Sequence, residues 1–202
     1  ENVFLQLASQ SKLPRLNLAL IAPFQLHREL IAKIDALGEA ASRGVEGRVV
    51  LKMNALTDEA LMLALVRAGK QGAKIDLIVR GACMLPPGIE GSTDRIRVRS
   101  VVGRYLEHTR VAFFCWGDTD ADQAVFLSSA DWMSRNMVGR IEVAWPVRDP
   151  LLRQRVIDEC LVPYLHDRMD AWELLPDGSY QRMGDDGPCA QQALMQLFNP
   201  EE

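Results

Sequence analysis

The sequence predicts an α/β protein: a mixed β-sheet flanked by helices, with a short acidic tail at its C-terminal end. Three observations carry that expectation. Short apolar runs alternate with segments of helical spacing through the first 80 residues. Brief β-like runs follow between residues 95 and 147. Helical spacing then returns at Pro150, before the chain turns polar and acidic from Met169.

Taken in order, residues 17–22 (NLALIA) read as a buried strand ended by Pro23. Phe24, Leu26, Leu30, Ile31, Ile34 and Leu37 recur at helical intervals, which predicts a helix over 24–43. Gly44 and Gly47 punctuate, and VVLKM (49–53) reads as a second strand. Thr57 is the expected N-cap of the next helix, with Asp58 and Glu59 suiting the positive end of its dipole. That helix stops at Gly72, and KIDLIVR (74–80) is a third strand. This order predicts parallel strands with right-handed crossovers, a sheet that binds ligands beyond the carboxyl ends of its strands. Arg80 sits at one such end, Lys52 and Asn54 at another. After a loop rich in Pro and Gly (81–94), the segments 95–101, 110–116, 123–128 and 139–147 read as short strands, and 150–165 as helix. Residues 169–202 are broken by Gly and Pro, with a short helix expected near Gln191–Phe198. The expected organisation is therefore 1–16 as the end of a preceding domain or a linker, 17–168 as the main domain, and 169–202 as the tail. The opening residues begin in mid-pattern without an initiator methionine, as in a piece of a longer protein.

Composition narrows the function classes. With 202 residues, 48% of them hydrophobic and 25% charged, the chain can bury a core and is not disordered throughout. Its most apolar stretch, Leu16–Phe24, is too short to cross a bilayer. Cys83, Cys115, Cys160 and Cys189 form no CxxC pair, which argues against a zinc site or a disulfide scaffold and for reduced thiols in the cytoplasm. The net charge of −4 argues against a general nucleic-acid binder. That average hides an asymmetry: Arg80–Arg110 carries six arginines against three acids, while Asp149–Glu202 carries four against eleven. A basic segment on an acidic protein suggests a site for a particular anion. There is no GxxxxGK[ST] and no GxGxxG after a strand, so arginines are the available means of gripping phosphate.

His108, directly before a strand and next to the basic segment, can act as acid, base, phosphoryl acceptor or donor to a phosphate oxygen. An ordinary structural or surface role competes at this position. Arg110 and Arg140 could equally pair with Asp131 or Glu142. His27 and His166 receive no function. The order His108-x-Arg110, then a turn with Ser128, Ser129 and Asp131, resembles a half-site of the phospholipase D superfamily, with arginine where that superfamily has lysine. Two such halves normally build one active site, and this chain carries one.

Longer stretches carry a second resemblance. LKMNALTD (51–58), GAKIDLIVRGACML (72–85), IRVRSVVGRYLEHTRV (96–111), LSSADWMSRNM (127–137) and RIEVAWPV (140–147) resemble the C-terminal part of the bacterial polyphosphate kinase family. The likeness extends into AWELLPDGSY (171–180); it departs by a short insertion in the Gly117–Gln123 turn. The resemblance implies a phospholipase D-like domain and reversible transfer of the terminal phosphate of ATP to inorganic polyphosphate through a phosphohistidine. The phosphorylated histidine, the Mg2+-associated residues and an adenine-stacking aromatic would lie on a preceding domain, leaving no metal ligand in this chain. It implies that His108 lies near the nucleotide phosphates and that Arg80 and Arg140 contact phosphate, with Arg110, Lys52, Asn54, Ser129 and Asp131 in support. Implied partners are ATP or ADP, polyphosphate, the remaining domains of the same polypeptide and further copies in a homo-oligomer, but no nucleic acid. The implied setting is cytoplasmic, with membrane association of the full-length enzyme left open. Two other functions stay open on the residues themselves: a phosphodiesterase or nuclease half completed by dimerisation, and a non-catalytic anion-binding module.

Overall fold

The computed structural model describes residues 18–184 and 186–199. The segment 1–16 therefore lies outside the described residues. One nine-stranded mixed sheet organises the rest, in the order β1-β7-β6-β5-β2-β3-β4-β8-β9. The strands are β1 (Leu20–Ala22), β2 (Arg48–Met53), β3 (Lys74–Val79), β4 (Ile96–Val101), β5 (Val111–Cys115), β6 (Gln123–Ser128), β7 (Glu142–Pro146), β8 (Ala171–Leu174) and β9 (Tyr180–Arg182). The helices are α1 (Leu26–Ser42), α2 (Glu59–Lys70), α3 (Ser134–Val138), α4 (Pro150–Cys160), α5 (Val162–His166) and α6 (Ala190–Phe198). The expected mixed sheet with flanking helices is what forms.

Both faces of the sheet are covered, which explains why β2 and β3 read as mostly apolar runs, broken only by Lys52 and Asp76 inside them, rather than alternating ones. Val49, Leu51 and Met53 face the core under α1 and α2, with Ile75, Leu77, Phe114 and Phe126. Val50, Ile78, Phe113 and Val125 face a second cluster with Leu161 and Tyr164. The period of two then turns Lys52 toward the second face, where its ammonium lies 3.6 Å from the centroid of the Tyr164 ring.

Four expectations need adjustment. β2, β3 and β4 are parallel as foreseen, but β1 pairs antiparallel with β7 at the sheet's edge. β1 does point the same way as β2; β7, β6 and β5 lie between them. Asp58, not Thr57, caps α2, its carboxylate accepting from Leu61 N at 3.1 Å. The helix foreseen over 150–165 breaks at Leu161 into α4 and α5, with Pro163 within the first turn of α5. The acidic C-terminal segment is also more than a tail. β8 pairs with β4, β9 extends the sheet beyond it, and Ala190 of α6 is buried in the second core. The turn at Gly72 falls as expected, in a left-handed conformation (φ 111°) that suits glycine.

Candidate functional site at the carboxyl edge of the sheet

Strand directions bring the candidate residues to one edge. Following the pairing outward from β2, that edge holds the ends of β2, β3, β4 and β6 and the beginnings of β5 and β7. Lys52 and Asn54, Arg80, His108 and Arg110, Ser129 and Asp131, and Arg140 all lie on or just beyond it. The Gly117–Gln123 turn joins β5 to β6 at the opposite edge.

β5 separates β2 from β6 but begins only at Val111, and above it the neighbouring segments close directly on one another. Trp132 N donates to Ala55 O at 3.0 Å, and Thr57 N and Asp58 N both donate to Trp132 O at 2.9 Å. This closure seats Asp131 against Asn54. Asp131 Oδ1 accepts from Asn54 N at 2.8 Å and from Asn54 Nδ2 at 3.2 Å. Arg110 grips the same carboxylate with two nitrogens, Nε and Nη2, each at 3.0 Å. Burial pushes the Asp131 carboxyl up, but the bonds from Arg110 and from the Asn54 and Ala55 amides outweigh it and hold the group below its ordinary value.

On its other side Asn54 turns its side-chain oxygen to Arg80, which donates from Nη2 at 2.7 Å and Nε at 3.2 Å. Arg110 meets His108 with Nη1 3.0 Å from Nδ1 and Nη2 3.2 Å from Nε2. A continuous chain therefore runs Arg80–Asn54–Asp131–Arg110–His108, with His108 exposed at its end. The expected Arg110–Asp131 pair is present.

Lys52 forms a second group. It is 5% exposed, ion-paired with Glu107 and stacked over Tyr164. Burial lowers its pKa, while Glu107 acts in the opposite sense. Lys52, Asn54, Arg80, Glu107, Thr109 and Tyr164 line a cleft of about 20 Å³, room for one water. Ser129 and Arg140 stand apart from both groups. Ser129 Oγ bonds the Glu142 carboxylate, whose other oxygen accepts from Asn136 at 2.6 Å. Glu142 is thereby occupied, and Arg140 is exposed with no hydrogen bond or ion pair among the described residues. Sequence reasoning counted Glu107 only as a charge and passed over Tyr164, although Glu107 lies next to His108.

The basic segment is less free than its composition suggests. Arg97 pairs with Asp76 at 2.7 Å, and Arg99 donates to the carbonyls of Tyr164 and Leu165 at the end of α5. Nor, among the described residues, do the acids at this edge or in the nearest cluster fit Mg2+. Asp131, Glu107 and Glu142 are taken by the partners just described. Asp167, Asp170 and Cys189 place their ligand atoms within 4.8 Å of one another. Asp167, however, accepts from the amides of Asp170 and Ala190, Cys189 donates to Asp170, and a thiol poorly suits so hard a cation. Among the described residues no helix is long and apolar enough to cross a membrane.

Comparison with known proteins identifies the family. Residues 19–194 match the family described as polyphosphate kinase C-terminal domain 2. The chain is 41% identical over 196 residues to a polyphosphate kinase of Xylella fastidiosa, covering 96% of this chain and 28% of that protein. It is 46% identical over 180 residues to one of Neisseria gonorrhoeae, covering 89% and 26%. The crystal structure of polyphosphate kinase from Porphyromonas gingivalis superposes with a TM-score of 0.89 at 35% identity, over 99% of this chain and 31% of that one. The chain thus spans under a third of the length of these relatives, and by sequence and fold alike it belongs to the polyphosphate kinase C-terminal domain family.

Proposed function

We propose that this domain is the phosphate-orienting half of a polyphosphate kinase active site, in a protein that reversibly transfers the terminal phosphate of ATP to polyphosphate. One observation carries the reading: the hydrogen-bonded chain that fixes Arg80 and His108 at opposite ends of a single network on the carboxyl edge. In the transfer, a histidine of a preceding domain attacks the γ-phosphorus. The P–N bond forms as the bond to ADP breaks, and a terminal polyphosphate oxygen then takes the phosphoryl group. Charge spreads over the equatorial oxygens, so positioned cations lower the barrier. Arg80 grips the phosphate and His108 orients it. Orientation ranks above proton donation, because ADP is already a good leaving group. Arg140, two strands beyond β5, contacts phosphate farther along the edge. Mg2+ ligands belong to the preceding domain on this reading, since the acids here do not fit that ion. Four free cysteines support a cytoplasmic setting. Further copies of the chain complete a homo-oligomer.

The test uses the longer polypeptide that carries this domain. Arg80→Ala and His108→Ala each lower turnover about 10²–10³-fold with the unfolding midpoint unchanged. Near-normal turnover in either variant removes that residue from the site.

A further inference from the structure

The segment that presents His108, residues 102–107, belongs to no helix or strand. It is nevertheless held at three points, the first where it leaves β4: Val102 N donates to Asp170 O at 3.1 Å. Glu107 is tied to buried Lys52. Tyr105 is tied to α6 in both directions: its N–H donates to Gln191 Oε1 at 2.9 Å, and its carbonyl accepts from Gln191 Nε2 at 2.8 Å. The primary amide thus completes the backbone pairing that a neighbouring strand would otherwise supply. The approach is close. A Cβ at Gly103 would lie 2.6 Å from Gln191 Oε1 and 2.9 Å from an Asp170 oxygen. The near end of α6 is itself anchored, since Ala190 N donates to buried Asp167 at 2.7 Å and Arg168 N to Pro188 O at 2.9 Å.

We infer that Gln191 is a positioning residue: through Tyr105 it sets the loop that carries His108, so α6 forms part of the active-site frame. This rests on the role proposed for His108. Gln191 touches no reacting atom and acts only by fixing the loop.

The test is made in the full-length enzyme with Gln191→Leu, which keeps the bulk and loses both hydrogen bonds, and with Gln191→Glu. The glutamate variant keeps the acceptor for Tyr105 N–H but sets a carboxylate against its carbonyl. Amide exchange over residues 102–110 and steady-state kinetics are read together. In Gln191→Leu, exchange of this segment rises about tenfold while β2 and β3 stay protected. Turnover falls about fivefold to tenfold with KM nearly constant, as loss of orientation in the transition state requires. Gln191→Glu falls between wild type and Gln191→Leu on both readouts, and it keeps the test open if Gln191→Leu does not fold. Unchanged exchange overturns the inference. So does a loosened loop with undiminished turnover. An inactive wild-type enzyme would instead count against the proposed function, and the exchange data alone would then decide whether α6 holds the loop.

Discussion

Asp131 is the joint on which the candidate site turns, and removing its charge should cost stability in a pH-dependent way. Its side chain is 11% exposed and that of Arg110 is 12% exposed. Deleting one partner of such a pair leaves the other charge desolvated, at a cost of about 3–5 kcal/mol. Arg110 keeps a bond to the His108 carbonyl at 3.2 Å, so the lower end applies to Asp131→Ala. For a domain of this size each kcal/mol moves the thermal midpoint by about 2–4 °C, which gives a fall of roughly 6–12 °C. Asp131→Asn retains an oxygen for the Asn54 and Ala55 amides and should lose less, about 2 kcal/mol.

The pH profile isolates the charge. The folded Asp131 carboxyl lies below its ordinary 3.8, net of a burial effect that works the other way. A depressed carboxylate contributes stability that is fully present above its unfolded pKa of about 3.9 and is lost as pH falls through the lower folded value. The gap between wild type and Asp131→Asn should therefore be constant between about pH 7 and 5 and narrow below about pH 4. Urea unfolding followed by circular dichroism at four pH values measures it. No gap at neutral pH, or a gap that persists unchanged below the folded pKa, would refute the argument that an ionised Asp131 holds this edge together.

Three further outcomes are expected. Lys52→Met should destabilise by about 1–2 kcal/mol by stranding Glu107, and adding Glu107→Gln should recover most of it; additive losses in the double-mutant cycle would show that the pair is not coupled. Calorimetric titration of this domain with long-chain polyphosphate should show binding that weakens steeply with salt and again in Arg80→Ala. Salt-insensitive binding would mean that contacts other than charge hold the chain. Incubated with labelled ATP, the domain alone should yield no phosphohistidine, and label on His108 would reverse the roles assigned to the two domains.

Much of the fold was legible because β2 and β3 are buried on both faces and leave mostly apolar runs. The neighbours of β1 were not legible, since strand direction follows from the crossover whereas strand order follows from which edge remains free. β8 and β9 were hidden for a different reason. Trp172 and Tyr180 are 39% and 40% exposed, so these two short strands at the margin of the sheet lack the apolar alternation that marks a strand. Asn54 and Arg80 could be singled out from their places at strand ends, and Arg110 and Asp131 from the His-x-Arg pattern and the Ser-rich turn that follows it. Their connection could not, because it depends on β5 starting late enough for the segments after β2 and β6 to meet above it. Gln191 carried no signal at all: its role comes from a helix docked on a loop 86 residues away in sequence.

The connected network also divides its two arginines. Arg110 is neutralised by Asp131 and spends its guanidinium on the carboxylate and the His108 ring. Arg80 is held by the neutral amide of Asn54, which fixes its direction, and it forms no ion pair among the described residues. An arginine paired with a carboxylate offers an incoming phosphate little net field, whereas one steered by an amide offers nearly all of its own. The same edge thus separates an arginine that builds the site from one that can bind in it. Replacing Asn54 by Asp would erase that difference: Arg80 would remain in place and lose its attraction for the anion. Asn54→Asp should therefore weaken polyphosphate binding nearly as much as Arg80→Ala, and because its new carboxylate would face Asp131, which now accepts from Asn54 Nδ2 at 3.2 Å, it should also lower the thermal midpoint that Arg80→Ala leaves unchanged. Unimpaired binding in Asn54→Asp would show that the free charge at Arg80 is not what holds the anion.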